Sequence, residues 1–211
     1  DISTYQKKDN KEKRLVIVSK SQKLQDIQKL INDNHLEFGE NYVEEGIAKI
    51  IELNNQRLNW HFIGKIQSNK IKKIVKYFDW IQTLSSLKHA KLINSECSKQ
   101  NKKINVCLQI NIDNEDTKGG MKIDEIKFFL NDISSYKNLI IRGIMSIPSR
   151  SNTLKEKVNS YSILKTEYDK LANMYKTIDT LSLGMSDDYE IALTYGSNMI
   201  RIGKLIFGER V

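Results

Sequence analysis

The sequence predicts an α/β protein built as a (β/α)₈ TIM-type barrel, and three observations carry that expectation. Eight short apolar runs alternate with helical patterns along the 211 residues. No break in composition divides them, because one proline, Pro148, and ten glycines leave little material for a linker. The closing stretch, Asp179 to Arg210, carries two strand-to-helix turns in succession, the kind of ending such a barrel has. Strands alternating with helices imply parallel pairing through crossover helices. A doubly wound open sheet has the same alternation and is the alternative.

Taken in order, Arg14 to Val18 is a β-branched run of the type buried on both faces of a parallel sheet, and it stops at Ser19-Lys20. Leu24, Ile27, Leu30 and Ile31 follow at three-and-four spacing, one face of a helix. Leu36 to Phe38 forms a short second strand closed by Gly39-Glu40-Asn41, and the helix after it carries Val43, Ile47, Ile50 and Ile51. Trp60 to Ile63 is the third strand, stopped by Gly64. Ile66, Ile71, Ile74, Val75 and Phe78 then line one side of a helix whose other side is Lys70, Lys72, Lys73 and Lys76. Asp79 to Leu84, Ile104 to Ile112 and Leu139 to Ile147, with Gly143 inside it, read as strands four to six. Their helices cover Leu87 to Gln100, Asp124 to Ile133, and a long segment through Val158, Tyr161, Leu164, Tyr168 and Leu171.

Thr180 to Leu183 is the seventh strand. After Gly184, Ser186 stands at the N-cap position of a helix that runs to about Tyr195, with Asp187, Asp188 and Glu190 in its first turn, as the helix dipole favours. Met199 to Ile202 is the eighth strand, ended by Gly203, and Lys204 to Phe207 makes one more turn. That tail is too short for a closing helix, so residues before Leu15 are expected to cover the gap. Residues 1–13 are read as the remnant of an absent or truncated N-terminal covering helix, or as a flexible lead, and 1–211 as a single domain.

Hydrophobic residues make up 39% of the chain and charged residues 28%, a globular balance. No apolar run reaches the ~20 residues that span a bilayer. The start is polar and charged, with no signal-peptide core and no initiator Met, which suggests a trimmed end. Two cysteines, Cys97 and Cys107, exclude a disulfide framework and point to a reducing, cytoplasmic compartment. Neither has metal-ligand spacing to the other or to His35, His61 or His89, so no structural metal is expected. The loop Asp113 to Gly120 lacks the spacing and the terminal Glu of a calcium loop. A net charge of +8 invites a nucleic-acid reading through Lys65 to Lys76. The lysines, however, are spread over every helix and lack interleaved aromatics before Tyr77, so solvated helix faces explain them better.

Barrels gather their functional residues where the strands end. Here those ends present Lys20, Asn41, Gly64 with Lys65, Thr83, Asn111, Met145, Ser186, and Arg201 with Gly203. Lys20 closes an apolar strand, where desolvation and a neighbouring cation would make its amine nucleophilic. A surface lysine just past a strand is the ordinary reading of the same residue. Across the mouth, the turns at Ser186 and Gly203 aim backbone N–H groups at one point, as a phosphate requires. A plain strand–helix–strand close would use the same residues. An amine facing a phosphate cradle is the arrangement a pyridoxal phosphate (PLP) site needs. Arg201 can point into the mouth. Its guanidinium cannot give up a proton and would leave a pyridine nitrogen unprotonated, a weaker electron sink. An interior ion pair with Asp or Glu is the alternative for Arg201. Asp187 and Asp188 are read as capping groups turned away from any phosphate.

In that order, Val18-Ser19-Lys20, Phe38-Gly39-Glu40-Asn41-Tyr42-Val43-Glu44-Glu45, Trp60-His61-Phe62-Ile63-Gly64 with Gln67-Ser68-Asn69-Lys70, and Arg142-Gly143-Ile144-Met145 form an ordered set. Leu183-Gly184-Met185-Ser186-Asp187-Asp188, Arg201-Ile202-Gly203 and Ile206-Phe207-Gly208-Glu209-Arg210 complete it. The set resembles the pyridoxal phosphate homeostasis protein family, single barrels of PLP fold type III similar to the N-terminal domain of alanine racemase. The resemblance runs from Leu15 to Arg210. It implies that Lys20 forms a Schiff base with pyridoxal 5′-phosphate, that Arg201 lies against the pyridine nitrogen, and that Ser186 with the amides at Gly203 and Lys204 holds the phosphate. Asn41 is implied to line the pocket near the ring. His61 and Met185 either support that pocket or simply pack the strands.

Lys204 departs from the Thr or Ser usual in the family, exchanging a hydroxyl contact for an ammonium. The function implied is intracellular vitamin B6 homeostasis: buffering PLP and delivering it to PLP-dependent apo-enzymes without turnover, by a cytoplasmic monomer that engages neither nucleic acid nor membrane. Alanine-racemase chemistry needs a second acid–base group from another domain, and this chain ends where that domain would begin. An amino-acid racemase or lyase using the same cofactor is the enzymatic alternative, and a basic nucleic-acid-binding protein the alternative from another class.

Overall fold

Eight parallel strands pair in chain order, and the last pairs with the first, so the sheet closes on itself. This closure decides against the open sheet. The computed structural model describes residues 13–115, 119–149 and 152–208. The strands are β1 (Arg14–Val18), β2 (Glu37–Glu40), β3 (Asn59–Phe62), β4 (Trp80–Leu84), β5 (Ile104–Ile110), β6 (Leu139–Ser146), β7 (Thr180–Ser182) and β8 (Met199–Ile202). The helices outside them are α1 (Leu24–Asn32), α2 (Val43–Leu53), α3 (Ile71–Tyr77), α4 (Leu87–Lys99), α5 (Ile126–Asp132), α6 (Leu154–Met174), α7 (Tyr189–Thr194) and α8 (Lys204–Phe207). Single 3₁₀ turns at Ser68–Lys70 and Ile123–Glu125 lead into α3 and α5, whose expected starts lay a few residues earlier. Of the N-terminal lead, Lys13 alone is described, its Nζ donating to Ser197 O at 3.3 Å; the expectation for residues 1–12 lies outside the described residues.

The main core fills the layer between sheet and helices, where Ile17, Phe38, Phe62, Phe78, Ile81, Leu108, Tyr161 and Leu181 are fully buried. Inside the barrel a smaller apolar group, Val16, Trp80, Cys107, Met145 and Met199, shares the space with polar side chains. Burial raises the Cys97 thiol to about 11 and the Cys107 thiol to about 12, so both are protonated, free and inert.

In α2, Ile51 is 58% exposed, whereas Lys49 is buried. One expectation is corrected. Ser186 does not cap α7: Asp188 takes up Met185 N (2.7 Å) in a tight turn, and the helix begins only at Tyr189. In β6, Gly143 adopts φ +155°, and the register against β5 shifts between Val106 and Cys107. The long helix α6 starts with a reciprocal cap. Thr153 Oγ1 accepts from Glu156 N, and Glu156 Oε2 accepts from Thr153 N at 2.6 Å. Thr153→Ala is expected to cost about 1 kcal/mol, read as a fall in melting temperature of roughly 2–4 °C. An unchanged melting curve would show that α6 is held by packing alone.

Candidate functional site

Lys20 follows β1 on a turn clamped from both sides. Ser19 is fully buried; its N–H donates to Gly39 O (3.1 Å), its hydroxyl donates to Glu40 Oε1 (2.6 Å), and its carbonyl accepts from Lys49 Nζ (2.6 Å). Beyond Lys20, Ser21 has φ +62° and donates its N–H to Glu45 Oε1 (2.5 Å). Lys49 Nζ joins the two carboxylates, reaching Glu40 Oε1 at 2.8 Å and Glu45 Oε1 at 2.6 Å. Complete burial pushes the Glu40 carboxyl above its ordinary pKa, against the pull of Lys49 and Ser19. This buried ionic group therefore fixes the turn that presents Lys20.

The opposite wall comes from the ends of β7 and β8. Asp188 Oδ1 holds Met185 N, and its Oδ2 accepts from Tyr161 OH (2.8 Å), so its carboxylate faces the core behind the turn. Burial, then Asp188, drives the Tyr161 phenol up in pKa and keeps it a donor. Ser186 Oγ accepts from Leu205 N at 3.4 Å, which joins the β7 turn to the first turn of α8. Arg201, 4% exposed, donates Nη1 to Ser182 O (2.8 Å) and Ser182 Oγ (2.6 Å), and Nη2 to Ser146 O (3.1 Å). Burial lowers its pKa to about 10, which still leaves it protonated at neutral pH. No carboxylate pairs with it among the described residues, so the interior ion pair is not formed.

These walls enclose a cavity of about 390 Å³ lined by Val18, Lys20, Gln22, Met185, Ser186, Asp187, Arg201, Gly203, Lys204 and Gly208. Of the residues singled out in the sequence, Lys20, Ser186, Arg201, Gly203 and Lys204 meet here. Asn41 does not line the cavity; it sits just past β2 with its buried Oδ1 lacking a hydrogen-bond partner. Asp187, expected to turn away, lies exposed on the rim. Three cationic side chains against one carboxylate favour an anionic occupant. His61 sits inside the barrel, stacked on Trp80 at 5.2 Å. Sequence reasoning passed over Ser182, Gln82 and the Glu40–Lys49–Glu45 group. Gln82 carried a signal, a polar residue in the buried strand Trp80-Ile81-Gln82-Thr83-Leu84. On the basic helix, Lys70 and Lys73 both pair with Glu44. Among the described residues, no three His, Cys, Asp or Glu side chains are grouped to hold a metal, and no helix is long and apolar enough to cross a membrane.

The family model for the alanine racemase N-terminal domain matches residues 2–211. A pyridoxal phosphate homeostasis protein of Buchnera aphidicola subsp. Schizaphis graminum is 44% identical over 214 residues, covering 100% of this chain and 93% of the relative. PipY of Synechococcus elongatus PCC7942 in its form without PLP superposes with a TM-score of 0.90 at 30% identity, covering 98% of each chain. Its form with PLP bound gives 0.87 at 29% identity with the same coverage. An alanine racemase of Clostridium difficile 630, at 17% identity and a TM-score of 0.72, shares the fold over 56% of its own length.

Proposed function

Because the chain belongs to the pyridoxal phosphate homeostasis protein family, we propose that its cavity binds pyridoxal 5′-phosphate and that the protein stores and delivers this cofactor without turning over a substrate. The observation that carries this reading is the meeting, in one cavity, of the Lys20 amine, a buried Arg201 with no carboxylate partner, and the joined turns at Ser186 and Lys204. When bound, the cofactor supplies an amine-reactive aldehyde and a pyridine ring able to accept electron density.

Each residue has a role that follows from its setting. Ser186 and the first turn of α8 at Gly203 and Lys204 take the phosphate, and the Lys204 ammonium adds a charge contact there. Arg201, held by three oxygen acceptors, offers its remaining donors to the ring nitrogen and keeps its own proton. Lys20 would present its amine to the aldehyde carbon. Asn41 lies outside the cavity lining, so the ring contact implied for it is not part of the proposal. Among the described lining residues no tyrosine, histidine or cysteine faces Lys20 to act as a second acid–base group. That favours a carrier over a racemase or lyase. The single domain 1–211, the cytoplasmic setting and a monomeric state belong to the same proposal, with PLP-dependent apo-enzymes as recipients.

The test is to add pyridoxal 5′-phosphate, record the visible spectrum, reduce with borohydride and map the adduct by mass spectrometry. A coloured protein with one adduct on the Lys20 peptide is expected. A colourless protein, or an adduct on Lys204 in place of Lys20, would overturn the assignment. Incubation of the loaded protein with amino acids in D₂O is expected to leave their α-hydrogens unexchanged; rapid exchange would make the protein an enzyme.

A further inference from the structure

A file of polar side chains runs through the inside of the barrel, from the floor of the cavity to the opposite end. Arg201 Nη1 donates to Ser182 Oγ at 2.6 Å, and the Ser182 hydroxyl donates to Gln82 Oε1 at 2.7 Å. Gln82 Nε2 lies 2.9 Å from His61 Nδ1. His61 Nε2 lies 3.4 Å from Glu37 Oε2, a contact that is not a hydrogen bond, and both are buried atoms without a hydrogen-bond partner. Glu37 Oε1 accepts from Arg14 Nε at 2.9 Å and lies 2.8 Å from Nη2 in the same ion pair. Ser182, Gln82 and His61 are completely buried. Glu37 and Arg14 open the first residues of β2 and β1, on the face away from the cavity.

Donor and acceptor chemistry makes this file one-directional. A guanidinium has only donors, so Ser182 Oγ must accept from Arg201. The hydroxyl hydrogen then needs an acceptor, which Gln82 provides by presenting its oxygen to Ser182 and its NH₂ to His61. Nδ1 of His61 must therefore accept, which places the imidazole proton on Nε2, facing Glu37. Burial holds the His61 pKa down against the opposing pull of Glu37, so the ring carries one proton. Burial raises the Glu37 carboxyl, but His61 and Arg14 outweigh it, and its pKa is lowered on balance.

We infer that Glu37 and His61 are positioning residues for Arg201: the carboxylate selects the Nε2–H form of His61, and Gln82 and Ser182 pass that choice to the guanidinium on the cavity floor. The inference rests on the reading of Arg201 as the partner of the ring nitrogen. If the imidazole proton moved to Nδ1, Gln82 would turn its NH₂ toward Ser182. Ser182 Oγ would then meet donors from two sides, its own hydrogen would have no acceptor, and the hold on Nη1 would weaken.

The first measurement is ¹⁵N NMR of the imidazoles in the protein without cofactor. His61 is expected to show an unprotonated Nδ1 and a protonated Nε2; the reverse pattern overturns the inference. The second is Glu37→Gln. The two Arg14 donors claim the new amide oxygen, so its NH₂ turns to His61 and inverts the tautomer. Binding of pyridoxal 5′-phosphate is expected to weaken on the order of tenfold, about the loss of one hydrogen bond. In a Gln82→Met background His61 no longer reaches Ser182, so adding Glu37→Gln is expected to change binding by less than about twofold. A merely structural role would make the two losses add. Wild-type uptake of the cofactor with unchanged binding in Glu37→Gln overturns the inference alone. A wild-type protein that takes up no cofactor overturns the cofactor reading and the inference with it.

Discussion

Replacing Lys49 with methionine is expected to remove about 3–5 kcal/mol of stability at neutral pH, because it leaves buried carboxylate without its counter-charge. Lys49 is 5% exposed, and its ammonium bridges Glu40, Glu45 and the carbonyl of Ser19. Methionine fills the space but satisfies none of these acceptors. The sign of the pH dependence follows from Glu40. Burial already raises its folded-state pKa, and loss of Lys49 raises it further. A carboxyl whose folded pKa lies above its unfolded value binds the extra proton in the folded state, so its ionisation penalises folding as pH rises through that window. The deficit of Lys49→Met is thus full at pH 7.5 and shrinks as the pH falls through the raised Glu40 pKa toward the unfolded value. Urea denaturation at several pH values checks this. A deficit below about 1 kcal/mol, or one constant across the range, would mean that the group contributes no more than an exposed ion pair.

Gly143→Ala is expected to cost more than about 4 kcal/mol and to prevent folding, because backbone conformation and space both exclude a side chain there. At φ +155° an L-residue is strained, and an added Cβ would lie 1.7 Å from Thr180 O. The obstacle is the backbone of β7, which cannot swing aside without moving Ser182, the partner of Arg201. Gly39→Ala provides the contrast. Its Cβ would meet Val16 Cγ1 at 3.0 Å and Ile63 Cδ1 at 3.1 Å, side-chain methyls that can yield. Soluble yield and near-ultraviolet circular dichroism of the two variants decide it, and a Gly143→Ala protein melting within a few degrees of wild type would sink the argument.

The strands were legible because parallel strands covered on both faces read as apolar runs, unbroken in Leu15 to Val18 and interrupted by Arg201 alone in Met199 to Ile202. Lys20, Ser186, Arg201 and Gly203 were legible as a group because strand ends in a barrel point to one mouth, and Lys204 was added by the family resemblance. Other features depend on partners distant in the chain. Lys49 has the spacing of a surface residue, and only Ser19 and Glu40, from two other elements, make it a core residue. Ser186 has the look of an N-cap, but Asp188 takes up the turn amide first. Periodicity cannot tell which of several acceptors near a helix start will win, since that depends on loop geometry rather than residue type.

The pairing of β1 with β8 brings Val16 beside Arg201 across nearly the whole length of the polypeptide. Lys20 leaves one edge of that seam and Gly203 the other, so the pocket has no partial form in a chain that has emerged only as far as β7. Joining such distant segments is the kind of step that sets the pace for high-contact-order folds. Anything bound across the seam favours the shut ring by RT ln(1 + [L]/Kd). Occupancy and completed ring closure are therefore linked in one equilibrium, and resistance to proteolysis in this protein should track how much of it is loaded.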